Sequence, residues 1–248
     1  MQVNNGNLYW KNKSKINKIY PYLTHDIKAD VLVIGGGIAG ALTTYFLAKE
    51  GANVVTVEKN IIGFGNTIAD TAALEYQLES EMSKLEKSIG RKDATRIYKL
   101  CLDSISKIEN INKEFKAPTG FLRQDNIYFT NKFMQRGAVA KEFDKRKDSG
   151  FDAVYIDSHS LVNLNSGIVT KNASAIMNPY SFTQGLFEYL DTMDNVKIFE
   201  NTKIDDIKCR IDEVECKTHN NFKITSDKVI MASGIETLKY LENSPAEL

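Results

Sequence analysis

Between Asp30 and Glu58 the chain reads DVLVIGGGIAGALTTYFLAKEGANVVTVE, a segment that few arrangements other than a nucleotide-binding βαβ unit can accommodate. Val31 to Ile34 form an unbroken apolar run of the kind found in a strand buried on both faces of a parallel sheet. The run stops at a glycine cluster with spaced duties. Gly35 permits the tight turn out of the strand, Gly37 has no side chain where a pyrophosphate must approach, and Gly40 lets the next helix lie close to the strand. Ile38 to Lys49 contains no proline and carries Ala41, Leu42, Phe46 and Ala48, so it predicts a helix closed by Gly51. Its N-terminus would offer unpaired N–H groups and partial positive charge to a phosphate. Val54 to Val57 predict a second strand ending at Glu58, 18 residues after Gly40. An acidic side chain at about this distance accepts hydrogen bonds from the adenosine ribose hydroxyls. The whole segment therefore predicts an adenine dinucleotide site.

The rest of the sequence narrows the class. At 248 residues, a chain can bury roughly 70 to 75% of its unfolded surface without staples. Its 32 basic and 32 acidic residues balance, which gives no electrostatic footprint for nucleic acid or a membrane surface. Apolar runs reach only about half a dozen residues, against the roughly 20 needed for a membrane span. No signal-peptide h-region opens the chain, so a soluble, cytoplasmic protein is expected. Cys101, Cys209 and Cys216 form no CxxC pair and read as reduced thiols. His25, His159 and His219 are scattered, and no metal-ligand spacing occurs.

Residues 1–29 read as a lysine-rich arm with Tyr9, Trp10, Tyr20 and Tyr22, packing against the following domain. After Glu58, the small residues of Ile61 to Tyr76 suit a loop around a ligand. Ser83 to Gly90 and Lys92 to Phe115 predict helices, the second with an apolar stripe through Ile97, Leu100, Ile105, Ile108 and Ile111. Ile127 to Phe129, Ala153 to Ile156 and Ala173 to Met177 predict strands, with a charged surface helix over Lys132 to Lys147. Asn178-Pro179 supplies an N-cap and first-turn proline for a further helix. Val196 to Phe199 predicts a strand, Ile204 to Thr225 a three-stranded meander turning at Asn220-Asn221, and Lys228 to Ile235 an apolar strand ending in the small-residue turn Ala232-Ser233-Gly234.

With the glycine fingerprint, the loop from Gly65 to Tyr76, the strand Gly120 to Thr130 and the Ala232-Ser233-Gly234 turn taken together, the chain resembles the D-amino-acid oxidase and glycine oxidase family of FAD-dependent oxidoreductases from about Tyr9 onward. The resemblance implies an α/β fold: a Rossmann-like FAD-binding domain, with parallel sheet and β-meander, interrupted by part of an inserted α+β substrate domain. The expected division is an arm over 1–29, the FAD domain over 30–117 and 195–248, and the partial substrate domain over 118–194. It further implies FAD contacts at Gly35, Gly37, Ile38, Ala39 and Gly40 around the pyrophosphate, and at Glu58 and Lys59 beside the ribose. Thr67 and Ile68 fall in the flavin-side loop, Ala72, Ala73 and Leu74 near the isoalloxazine, the Lys203 backbone at adenine, and Ser233 and Gly234 near the ribityl or pyrophosphate.

Full-length relatives oxidise a C–N bond of an amine or amino acid by hydride transfer to flavin N5, so an amine or amino-acid substrate is implied. Members of the family run longer, whereas Leu248 follows Gly234 by only 14 residues; the reading this suggests is an N-terminal portion, as a truncated gene product, an expressed fragment or one half of a split enzyme whose C-terminal half is a second chain. No side chain stands out as catalytic. Met177 and Tyr180 border the substrate side by position, but helix initiation explains Asn178-Pro179-Tyr180 equally well. The alternatives are a flavin-binding subunit or remnant without turnover, and a nicotinamide-dependent dehydrogenase.

Overall fold

The computed structural model describes residues 8–15, 18–157 and 164–237. His159 and the last eleven residues of the expected FAD domain, 238–248, lie outside the described residues. In chain order the elements are α1 (Tyr9–Lys13), β1 (Ile27–Ile34), α2 (Ile38–Lys49), β2 (Val54–Val57), β3 (Ala73–Glu75), α3 (Met82–Ile89), α4 (Arg91–Glu114) and β4 (Leu122–Thr130). They continue as α5 (Arg136–Asp148), β5 (Ala153–Ile156), β6 (Ser166–Ile176), α6 (Pro179–Leu190), β7 (Val196–Phe199), β8 (Ile204–Cys209), β9 (Val214–Thr218) and β10 (Lys223–Met231). Two compact units result, one from Met1–Thr71, Phe115–Thr119 and Asn178–Leu248, the other from Ala72–Glu114 and Gly120–Met177.

The first unit holds a six-stranded sheet in the order β7-β2-β1-β10-β9-β8. Its first four strands are parallel, and β9 and β8 join antiparallel. The continuous apolar run of β1 follows from burial on both sides. Val31 and Val33 pack with Val54 and Leu47 in one layer, while Leu32 and Ile34 pack with Leu23, Val55, Val57 and Ile224 in the other. The expected third strand of the meander and the later apolar strand are one element: β10 pairs with β9 through its first half and with β1 along nearly all its length. Helix α6 starts as its sequence predicts, with Pro179 in the first turn and the Asn178 side chain accepting a hydrogen bond from Ser181 N at 3.0 Å. In mid-helix, a Cβ on Gly185 would lie 2.4 Å from that of Ala117, so this helix needs glycine there to reach its neighbour.

The second unit has a four-stranded sheet in which β6 pairs antiparallel with β3, β4 and β5. Tyr76, Met82, Tyr98, Ile105 and Phe151 fill one part of its core, and Val139, Ala153 and Ile168 another. Here the structure departs most from the sequence reading. The strand expected over Ala173 to Met177 is the end of the longer β6; Asn172, with φ +49°, interrupts its alternation and hides its first half. The charged surface helix is α5, which begins only at Arg136 and buries Glu142 and Arg146 almost completely. Arg146 Nε donates to Glu142 Oε1 at 2.9 Å, NH1 to Tyr76 Oη at 2.8 Å and NH2 to Gln77 Oε1 at 3.1 Å. Glu142 also accepts from the Met82 and Ser83 amides at the start of α3. This pairing is satisfied on every side, which is the condition for burying two charges.

The division into units also differs from the one expected. Residues 72–114 belong with the second sheet, because Tyr76 and Tyr98 lie in its core, and α6 belongs to the first unit. Tyr20 and Leu23, both buried, place the described end of the arm before β1 with the nucleotide-type sheet.

Candidate cofactor site

The site is assembled where β1 and β10 end side by side. Ala232 N donates to Ile34 O at 2.8 Å, which brings the turn after β10 against the turn after β1. Gly35 has φ +119°, and a Cβ there would lie 2.5 Å from Ala232 O. Gly40 is equally constrained: its Cβ would lie 1.9 Å from Gly35 O, so only glycine lets α2 start this close to the strand. Gly37 differs. Its backbone is extended, with φ −82° and ψ −175°, and a Cβ would meet only Thr67 Oγ1, at 3.2 Å. A Cβ at 37 would thus press on a single side-chain oxygen, whereas at Gly35 and Gly40 it would meet backbone, and the space in front of the helix is left open.

That space has the character of an anion site. No acidic residue occupies the first turn of α2, Gly37 provides no side-chain cap, and Ala39 is exposed. Ile38 N donates to Thr67 Oγ1 at 3.0 Å. The Thr67 hydroxyl thus sits on the helix N-terminus and still has its own proton to offer, while Ile68 is fully buried beneath the loop. A pyrophosphate fits these donors.

Glu58 lies at the end of β2, as its spacing predicts. Its Oε2 accepts from Gly36 N at 2.8 Å and its Oε1 from Asn60 N at 2.9 Å. Burial pushes its carboxyl above the usual carboxylate range, opposed by those two N–H donors and by Lys59. Each oxygen keeps a lone pair for a further donor such as a ribose hydroxyl. Gly36, which sequence reasoning left without a role, is held on both sides: it donates to Glu58, and its carbonyl accepts from Gly63 N at 2.9 Å. A Cβ at Gly36 would stand 2.8 Å from Glu58 Cβ. The middle glycine of the Gly35-Gly36-Gly37 run was the available signal.

Beside Glu58 opens a cavity of about 290 Å³, lined by Leu23, Lys59, Asn201, Lys203 and His219 among others. Lys59 is paired with Glu236, just past the β10 turn. The Lys203 carbonyl accepts from His219 N at 2.9 Å, and its side chain is more than half exposed beside Asp205. Ser233 Oγ lies 3.0 Å from Thr237 Oγ1. Gly234, with φ +61°, is exposed, and a Cβ there would find only Asn66 Nδ2, at 3.8 Å.

The first unit thus brings together Gly35, Gly37, Ile38, Ala39, Gly40, Glu58, Lys59, Thr67, Ile68, Lys203, Ser233 and Gly234 from opposite ends of the chain. Ala72, Ala73 and Leu74 belong to the second unit. Ala72 adopts φ +72°, unusual for a residue with a Cβ, and its carbonyl accepts from Met177 N at 3.1 Å. Leu74 packs into that unit's core. Among the described residues no cluster of His, Cys, Asp and Glu could hold a metal ion, and no helix is long and apolar enough to cross a membrane. Sequence reasoning also missed Glu200, whose buried carboxylate accepts from Ile62 N at 2.8 Å and Tyr20 N at 3.1 Å. A lone acid after a short apolar strand carries no signal for that role.

Comparison with known proteins agrees with this fold. The model of the FAD-dependent oxidoreductase family matches residues 30–246. YhfW of Bacillus subtilis (strain 168), named for a Rieske 2Fe-2S iron-sulfur protein, is 26% identical over 226 residues, which are 91% of this chain and 44% of the relative. L-amino acid deaminase from Proteus myxofaciens superposes with TM-score 0.74 at 18% identity, covering 94% of this chain and 51% of that one. Glycine oxidase from Geobacillus kaustophilus superposes with TM-score 0.67 at 19% identity, covering 85% and 56%. The chain spans about half the length of each of these proteins.

Proposed function

The chain belongs to the family of FAD-dependent oxidoreductases, and on that premise we propose that its first unit holds FAD for the oxidation of a C–N bond in an amine or amino acid. The observation that carries the proposal is the open N-terminus of α2, where Gly37 leaves the space before the first turn without a side chain. The names of two fold relatives, an L-amino acid deaminase and a glycine oxidase, support an amino-acid-type substrate.

Bound FAD supplies the acceptor for a hydride from the substrate α-carbon, and the imine so formed hydrolyses in water. The protein's part is to bind and orient. The Ala39 amide and the Thr67 hydroxyl would donate to the pyrophosphate, with Ile38, whose own N–H is held by Thr67 Oγ1, lining the same space. Glu58 accepts from the adenosine ribose and excludes a 2′-phosphate by charge. Lys59 and the Lys203 backbone, which line the adjoining cavity, would border adenine, and Ser233 and Gly234 lie at the same end of the sheet.

A second reading is a flavin-holding subunit that turns over only with a further polypeptide. One observation favours it: the second unit's sheet leaves Ile127, Phe129 and Val154 about half exposed on one face. The visible spectrum of the purified chain, with and without added FAD, tests both readings. Flavin bands that bleach anaerobically with amines or amino acids are expected from the first reading, and bands that persist under all of them from the second. Failure to retain any flavin overturns the FAD site itself.

A further inference from the structure

The N-terminal arm makes contacts that the site described above does not need for its own donors. Trp10 Nε1 donates to Asp70 O at 2.9 Å. Asp70 N in turn donates to Thr67 O at 3.4 Å, and Thr67 Oγ1 accepts from Ile38 N at 3.0 Å. A relay of three hydrogen bonds thus runs from the indole to the first amide of α2. Two neighbours reinforce it: the Lys11 ammonium lies 5.9 Å from the Phe64 ring centroid, and Ser14 Oγ accepts from Asn178 Nδ2 at 2.7 Å. Further along, Tyr20 N and Leu23 N bond Glu200 Oε2 and Thr202 Oγ1, both at 3.1 Å. The arm is therefore fastened at both described ends to the unit that carries the site.

The loop it holds has little regular structure of its own. Between β2 and Thr71 it forms one short 3₁₀ turn over Asn66–Ala69. Its packing comes from outside: Phe64 meets Tyr180 edge to face at 5.8 Å, and Gln184 Nε2 donates to Ile62 O at 2.7 Å. On the far side Trp10 Nε1 holds the Asp70 carbonyl. Loops held by few contacts open at low free energy, and each added bond lowers the open population.

We propose that Trp10 is a positioning residue for the cofactor, and that the arm is a strap holding Thr67 against the N-terminus of α2 and slowing release of the bound dinucleotide. The part concerning release rests on the reading that this unit holds FAD. The strap acts on a closed state, so its signature is in dissociation and not in encounter.

The test compares the unaltered chain with Trp10→Phe, which keeps an aromatic ring and removes the N–H. Hydrogen exchange of the apoprotein should accelerate about 3- to 10-fold in peptides spanning Ile38 and residues 66–70, the factor expected for one neutral hydrogen bond. The FAD dissociation rate, followed by recovery of flavin fluorescence, should rise by a similar factor while association changes by less than about twofold. A merely structural role would instead lower the urea midpoint and accelerate exchange in β1 and β2 as well. Lys11→Ala should give a smaller change of the same kind and serves if Trp10→Phe does not fold. Unchanged exchange over 66–70 together with unchanged FAD dissociation overturns the strap. If the unaltered chain retains no FAD while Trp10→Phe still loosens 66–70, the FAD reading falls and the latch on the loop stands.

Discussion

The two units solve burial in opposite ways. In the first, the layers against the sheet are mostly apolar, with one buried hydroxyl pair, Thr44 and Thr56, and the tight places are backbone on backbone, at Gly35, Gly40 and Ala232. In the second, the centre holds a charged pair, Arg146 and Glu142, sheathed by Tyr76, Tyr98 and Tyr128, whose rings lie 5.0 to 5.9 Å from the guanidinium. A core of the first kind fails by collision, because carbonyl oxygens cannot move out of the way of a new Cβ. A core of the second kind fails by lost compensation, because either charge alone is costly in a medium that solvates it poorly. The difference teaches where each unit is fragile.

The largest effect should come from Gly40→Val in the first unit. A Cβ 1.9 Å from Gly35 O forces the strand and helix apart, and a loss above about 4 kcal/mol, in the exceptional range for single substitutions, is expected in urea unfolding. Gly37→Ala sharpens the contrast. It should lower the unfolding midpoint far less than Gly40→Val, since its Cβ meets one side-chain oxygen and no backbone, yet abolish flavin retention by filling the pyrophosphate space; retained flavin in that variant would refute the site. Arg146→Met in the second unit comes next, at about 3 to 5 kcal/mol for stranding Glu142. Adding Glu142→Leu should recover part of that loss, and a double variant as unstable as the sum of the singles would show that the pair is not a unit.

Glu58→Ala should weaken FAD by about 1.5 to 3 kcal/mol, the range for hydrogen bonds to a charged group. An unchanged dissociation constant in titration would remove Glu58 from the ribose position. The smallest effect concerns thiols. Burial pushes the Cys216 thiol up to about 12, and the side chain is fully buried in the first unit, whereas Cys209 is exposed. A thiol reagent should label Cys209 in the native protein and reach Cys216 only on unfolding. Fast native labelling of Cys216 would mean that the first unit's core opens more readily than its packing implies.

Legibility followed the same line. The βαβ unit could be read residue by residue because strand, turn, helix and acid are contiguous and each obeys a local rule; the helix bounds Ile38 and Lys49 and the strand Val54 to Val57 agree with the sequence expectation. The second unit was read in fragments. Alternation in β6 is broken at Asn172, and Glu142 and Arg146 look like ordinary solvated charges on a lysine-rich helix. Nothing local distinguishes a buried arginine from an exposed one when its partners, Tyr76 and Gln77, lie 70 and 69 positions away. The same holds for Trp10 and Asp70, 60 positions apart.

By itself the sequence determined the nucleotide-binding class, the glycines that close backbone contact demands and the acid at the end of β2, because those requirements act over a few bonds or one turn of helix. Only the tertiary structure decided that the first and last turns of the unit meet at Gly35 and Ala232, that the arm fastens the Thr67 loop, and that a buried ion pair organises the second sheet. Each of these depends on groups brought together by chain closure over many residues, where distance and desolvation, and not local propensity, set the energy.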